Sequence, residues 1–350
     1  MSAGGQHGGQ PDAMAQLRAQ GPPYPPQGAS LGGMPTTTLD IPVSAVLAFV
    51  FALSAAVNMT MFQLNKHRGH KFVFSAVLFG FSMARVSSNL MRIVWACYPR
   101  NARVAIAASI LANAGVIALF IVNLFFVQRV LRAFQPRLGW SRPVRIAFRS
   151  LIASVVACLV MVIVSIVYSF YTLDPSKHAQ LRDVQLVAVV FLAVLAFLPI
   201  PIALVAMLLP RRGHSVENFG SGTMRTKVRL LLFTSLILTL GAGFRAGVAF
   251  VQRPADSPAW FHHKACFYCF SYLIELIVVF TYVVSRFDRR FHIPDGSSQP
   301  GHYSTGVPAA EKKSANYDGF ASDDQQGQQM AWDERLRGDI AQQREASARG

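Results

Sequence analysis

Apolar residues run along this chain in seven stretches: Ile41 to Leu64, Phe72 to Cys97, Val104 to Val127, Leu151 to Thr172, Val184 to Leu209, Leu230 to Val251 and Ala265 to Val284. Each holds about 20 residues or more, the length a helix needs to cross the ~30 Å hydrocarbon layer of a bilayer. A segment in lipid has no water to satisfy its backbone N–H and C=O groups, so it must satisfy them internally as a helix. The pattern predicts an all-α membrane protein, a seven-transmembrane-helix bundle over 41–284.

The polar connections between these stretches alternate in charge. After the first, third, fifth and seventh segments the Lys plus Arg counts are 3, 6, 5 and 3, whereas the opposite side carries 1, 2, 2 and 2. Basic residues are retained on the cytosolic side of a membrane. The bias therefore predicts an outside N-terminus and a cytosolic C-terminus. The cytosolic loops hold Lys66, Arg68 and Lys71, then Arg129 to Arg149, then Arg211, Arg212, Arg225, Lys227 and Arg229. Trp95, Tyr98, Tyr168, Tyr171 and Trp260 fall near the predicted outer ends, where amphipathic rings prefer to lie.

Composition sharpens this picture at the ends of the chain. Residues 1–40 are rich in Gly, Pro and Gln, and residues 295–350 in Ser, Gly and Gln; such segments bury too little apolar surface to fold, and both tails are expected to be disordered. A short helix around Met330 to Glu345 is the one element expected there. No signal peptide is expected ahead of the first span, which is then expected to serve as its own insertion signal. The net charge of +16 is uneven, because the part from Asp295 onward holds 9 acidic and 6 basic residues. The excess positive charge lies at the predicted cytosolic face, where it attracts anionic membrane lipids. Basic residues that flank spans do not form a patch on a soluble domain, so a nucleic-acid partner is not expected. Residues 285–294 place Phe287 and Phe291 one turn apart among arginines. This reads as a juxtamembrane amphipathic turn on the inner leaflet, or as an ordinary basic anchor.

Within the seven stretches four charged groups stand out: Arg85, Arg92, Arg245 and Glu275. Charged side chains are costly in hydrocarbon and face the bundle or a wet cavity. Arg85, Ser88, Asn89 and Arg92 recur at helical spacing and form one polar stripe. At ~1.5 Å rise per residue all four charges fall in the outer half. If the helices close in sequence order, Glu275 reaches Arg85 or Arg92, and Arg245 comes within range. Three positive groups against one negative make an outward site for a small anionic or lipid-like ligand, held by guanidinium forks. The same residues also suit a buried ion pair with the other arginines reaching for head groups.

Asn58, Asn113 and Asn123 are expected to make interhelical hydrogen bonds. Gly243 and Gly247, with Gly241, suggest close helix packing, and Pro199 and Pro201 should bend the fifth helix. The outer cysteines Cys97, Cys266 and Cys269 could bridge in an oxidising compartment. Cys266 and Cys269 have no second pair at zinc spacing, so no metal is expected. The nine His fall in tails or loops and every Lys outside the stretches, which speaks against intramembrane haem, zinc or a Schiff-base cofactor. No catalytic residues, no cofactor and no enzyme activity are expected.

A resemblance enters on specific residues. Lys71-Phe-Val-Phe-Ser75, Leu78-Phe-Gly-Phe-Ser82, Ala84-Arg85, Asn89-Leu-Met-Arg92-Ile-Val-Trp95-Ala, Val122-Asn-Leu-Phe, Gln128-Arg129, Arg132-Ala, Pro136 and Gly139-Trp140 together resemble an uncharacterised family of fungal multi-pass membrane proteins. The resemblance covers roughly Ile41 to Pro294 and implies no activity. Rhodopsin-like receptors share the layout, but here the third span ends Val127-Gln-Arg129 with no acidic residue before the Arg, and the seventh lacks Asn-Pro-x-x-Tyr. A receptor-like or sensor protein of the plasma membrane or another secretory-pathway membrane is the first expectation. A transporter or lipid-handling protein is the second, and a scaffold with a cytosolic partner at its C-terminal tail the third.

Overall fold

The computed structural model describes residues 31–69, 72–210, 216–251 and 259–305, together with 19, 21–24, 253 and 257. Lys71, Arg211, Arg212, most of the expected N-terminal tail and the helix expected around Met330 to Glu345 lie outside the described residues. The chain divides into two compact units, Met1–Ile293 and Pro294–Gly350. Described residues of the second carry one short helix, His302–Thr305.

The first unit contains seven helices long and apolar enough to cross a membrane: α1 (Asp40–His67), α2 (Val73–Cys97), α3 (Ala102–Phe134), α4 (Arg142–Ser169), α5 (Pro175–Leu208), α6 (Met224–Phe250) and α7 (Lys264–Val284). Their starts are written in the sequence. Asn101 Oδ1 accepts from Arg103 N at 3.1 Å, Asp174 Oδ1 from Ser176 N at 3.0 Å, and Thr223 Oγ1 from Thr226 N at 3.4 Å. Each satisfies a backbone donor that the first helical turn leaves open. The architecture is that of a multi-pass, all-helical membrane protein.

α1 packs along α2, α2 along α3, α4 along α5, and α5 along α6, while α7 touches α6 and α1. α3 is the central helix: Leu119, Val122, Phe126, Val130 and Ala133 are all fully buried. By contrast α1 presents Val46, Phe49, Leu53 and Val57 outward, and α4 presents Val156, Val160 and Val164. Lipid tails are as apolar as these side chains, so the helices gain little by hiding them from lipid, and close packing with polar contacts holds the bundle. Asn123 provides one such contact. Its Nδ2 donates to Ser235 Oγ of α6 at 3.2 Å, and its Oδ1 accepts from the Tyr282 hydroxyl of α7. Asn58 and Asn113 instead donate within their own helices, to Ser54 O and Ser109 O.

Three helices are interrupted. α3 breaks at Gly115 and Val116, between Ala102–Ala114 and Ile117–Phe134. α5 divides at Leu198 into Pro175–Phe197 and Pro199–Leu208, where two prolines remove backbone donors. α7 widens to a π-helical turn over Cys269–Leu273. Gly241 of α6 supplies the close approach to this turn, since a Cβ there would lie 3.0 Å from Phe270 O. Gly243 and Gly247, expected to mediate such packing, have nothing within 4 Å of that position.

Two segments expected to be peripheral fold against the bundle. Phe287 and Phe291, on and just after the short helix α8 (Phe287–Arg290), are fully buried against the bundle. Phe291 stacks on Phe126 at 4.1 Å between centroids, and Phe287 meets Phe72 edge-on at 5.2 Å. Asp288 is buried beside them and accepts from Asn65 Nδ2 of α1 at 3.0 Å. At the other end, residues 31–39 are not a free tail. Gly32 N donates to His262 O at 3.0 Å, and Asp40 N to Thr36 O at 3.1 Å. Gly32 takes φ +80°, and a Cβ would come within 2.7 Å of Phe267, so only glycine suits this crossing.

Candidate functional site

The charged residues of the seven stretches converge near the Asp40 end of the bundle, in two clusters. In the deeper one, Arg85 Nε and Nη2 donate to Glu275 Oε2 and Oε1, both at 2.5 Å, a side-on guanidinium-carboxylate fork. Arg85 Nη1 donates to Ala112 O at 2.8 Å in the last turn of α3 before its break, where helix carbonyls lack an intrahelical partner. Gly115 makes room, because a Cβ there would lie 2.9 Å from the Arg85 guanidinium. Tyr272 stacks beside Arg85, at 5.2 Å from ring centroid to Cζ, and its hydroxyl bonds Ser88 Oγ at 2.8 Å. Arg245 Nη1 stands 3.8 Å from Glu275 Oε1. Asn89 donates to Arg85 O at 2.8 Å within its own helix.

The second cluster is built on Asp40. This carboxylate, fully buried at the start of α1, accepts from Arg92 Nε at 3.0 Å, Tyr268 Oη at 2.7 Å, Lys264 Nζ at 2.5 Å and Thr36 N at 2.8 Å. Arg92 Nη2 also donates to Gly32 O at 2.9 Å and stacks on Phe267 at 4.3 Å. Arg92 is thus tied to protein rather than reaching for head groups. Sequence reading passes over Asp40 because it precedes the first apolar residue of its stretch and looks like a loop residue.

Between the clusters lies a cavity of about 430 Å³ lined by α2 to α7. Its polar lining comes from Ser88 and Arg92 of α2, Ser109 and Asn113 of α3, Arg182 and Gln185 of α5, Arg245 of α6 and Ser271 of α7, with Trp95 and His262 beside them. Of the five residues expected to bind ligand, Arg92 and Arg245 line this cavity. Arg85, Asn89 and Glu275 sit behind the wall. Arg182, which the sequence places in a loop, is the third cavity arginine.

Two properties define the chemistry. Among the described residues the lining contains no Asp or Glu. Two lining side chains also keep a buried donor nitrogen without a hydrogen-bond partner: Trp95 Nε1 and Arg182 Nε. Trp Nε1 and Arg Nε only donate, and leaving buried donors unpaired is costly. Burial holds the His262 imidazole below its ordinary value; a hydrogen bond at the Ala259 backbone opposes this and the charge of Arg253 adds to it. Summed over both clusters and Arg182, five cationic groups face the two carboxylates Asp40 and Glu275, a net charge near +3. A smaller apolar pocket of about 50 Å³ adjoins the cavity and shares Asn113, Ile166, Val189 and Arg245 with it.

Cys97, Cys158, Cys266 and Cys269 are all free cysteines, so the bridge expected between Cys97 and Cys266 or Cys269 is not formed. Cys266 Sγ lies 3.9 Å from Trp260 O instead. Lys227, expected in a loop, is fully buried in the first turn of α6 and bonds Phe219 O. Among the described residues no group of three or more His, Cys, Asp or Glu could hold a metal ion.

Fold and site together define a seven-helix membrane protein with a cationic cavity between its helices. A family model described as a protein of unknown function, DUF3112, matches residues 214–292. That span contains α6, α7 and α8, and with them Arg245, Glu275, Tyr272 and His262; it lies C-terminal to the 71–140 stretch that carries the sequence resemblance. No curated protein and no solved structure matches the chain.

Proposed function

We propose that this protein is a receptor-like binding protein whose cavity takes an anionic or lipid-like molecule from outside the cell or from the lumen of a secretory-pathway membrane. The supporting observation is the lining itself: three arginines, no carboxylate, and two buried donor nitrogens, Trp95 Nε1 and Arg182 Nε, that have no partner in the protein. Guanidinium groups in a low-dielectric cavity bind carboxylate or phosphate oxygens strongly. Alternating loop charge supports the orientation, with the Asp40 end outside. The role is binding rather than catalysis.

The test is analysis of lipids and metabolites that co-purify with the full chain and with Arg182→Ala. An anionic compound retained by the parent protein and lost from the variant supports the reading; a neutral compound, or equal retention by both, speaks against it. A transporter is favoured by one observation, that α3, α5 and α7 are all interrupted. Counterflow of the bound compound in proteoliposomes would select transport over reception.

A further inference from the structure

We infer that the ligand is a single-chain anionic amphiphile, a long-chain carboxylate or alkyl phosphate, with its head among Arg92, Arg182 and Arg245 and the start of its chain in the adjoining apolar pocket. This rests on the anion-binding reading above and extends it. The two spaces are contiguous, and Arg245 belongs to both walls. Past Arg245 and Asn113 the smaller pocket turns apolar: its walls are Ile117 of α3, Leu159, Val162 and Ile163 of α4, and Leu192 of α5. A compact inorganic anion would leave this pocket unfilled, whereas an alkyl chain attached to the anion removes its methylenes from water there.

The pocket is small, so a long chain continues beyond it. Leu159, Val162, Ile163 and Leu192 are only half-buried, and neighbouring Val160, Val164, Val187 and Val190 form the exposed apolar faces of α4 and α5. The remainder of the chain passes between these helices toward that surface. One cavity thereby holds the charge away from hydrocarbon while leaving the tail in it.

The experiment measures binding of four probes to the purified full chain: palmitate, hexadecyl phosphate, and the short, chainless counterparts acetate and inorganic phosphate, with hexadecanol as the uncharged control. Each long-chain anion is expected to bind at least tenfold more tightly than its short counterpart, and hexadecanol not at all. Leu192→Trp, which fills the apolar pocket, should weaken the long probes at least tenfold and leave the short ones unchanged, so that short-probe binding also reports a folded protein. Leu192→Phe serves the same purpose should the Trp variant not fold. Arg182→Ala should weaken all four. The tighter long probe identifies the head group as carboxylate or phosphate. Equal affinity for long and short probes, or equal loss of both on Leu192→Trp, overturns the chain assignment alone, whereas hexadecanol binding as tight as that of the long anions overturns the anion site. Binding of none of the anions overturns the anion site itself.

Discussion

Glu275 on α7 grips Arg85 on α2 through two parallel hydrogen bonds of 2.5 Å, with both side chains withdrawn from solvent. The pair joins helices 190 residues apart in sequence and forms the floor beneath the cavity arginines.

Removing one member of this pair leaves a buried charge alone, which costs about 3–5 kcal/mol. Glu275→Gln is therefore expected to lower the thermal unfolding midpoint of the detergent-purified protein sharply. The double variant Arg85→Met with Glu275→Leu should recover part of the loss, since Arg85 no longer stands unpaired while Arg245 still lacks its carboxylate. A double variant as unstable as the single one would show that the charges themselves, and not their pairing, hold α2 to α7.

Gly115 lets the Arg85 guanidinium approach the broken turn of α3. Gly115→Val should displace that guanidinium from Ala112 O and destabilise the fold by about 1–3 kcal/mol, the range for overpacking a filled site. Gly243→Val, where no atom lies within 4 Å of the added Cβ, should leave the midpoint nearly unchanged. Unfolding curves of the two variants side by side provide the check.

His262 carries a pH dependence of definite sign. Burial depresses its folded-state value below the ordinary one, so the folded protein favours the neutral ring. Its contribution to stability is present above the ordinary His value and is lost as pH falls through the depressed value. Ligand binding moves the other way, because protonation adds a positive charge to a lining that already holds Arg92, Arg182 and Arg245. Affinity for an alkyl sulfonate, whose own charge is constant, should rise as pH falls through the depressed His262 value. His262→Gln should flatten that profile.

Phe291 closes the opposite end by stacking on Phe126. Phe291→Ala should cost about 3–5 kcal/mol, as for other buried aromatic truncations, while leaving anion affinity at the Asp40 end unchanged in protein that remains folded. Loss of affinity in that folded fraction would show that α8 and the cavity are coupled.

The seven crossings were legible in the chain because lipid imposes a length and a composition on each span that can be read one segment at a time. The polar stripe of α2 was legible for the same reason, since helical spacing alone brings Arg85, Ser88, Asn89 and Arg92 to one face. The partners of that stripe belong to a different kind of information. Arg92 meets Asp40, 52 residues earlier, and Arg182 joins the cavity although it lies in a polar stretch before its apolar run begins. Asp40 and Arg182 sit at span starts, where hydropathy reads a charge as solvated loop. The breaks in α3 and α7 were equally invisible, because a π turn and an unpaired carbonyl arise from how neighbouring helices press together and leave no mark in composition. The sequence by itself therefore determined which segments cross and which helix faces are polar, quantities set by each segment's contact with lipid. Tertiary structure alone decided which charges neutralise one another and which line the cavity, because those outcomes depend on distances between helices.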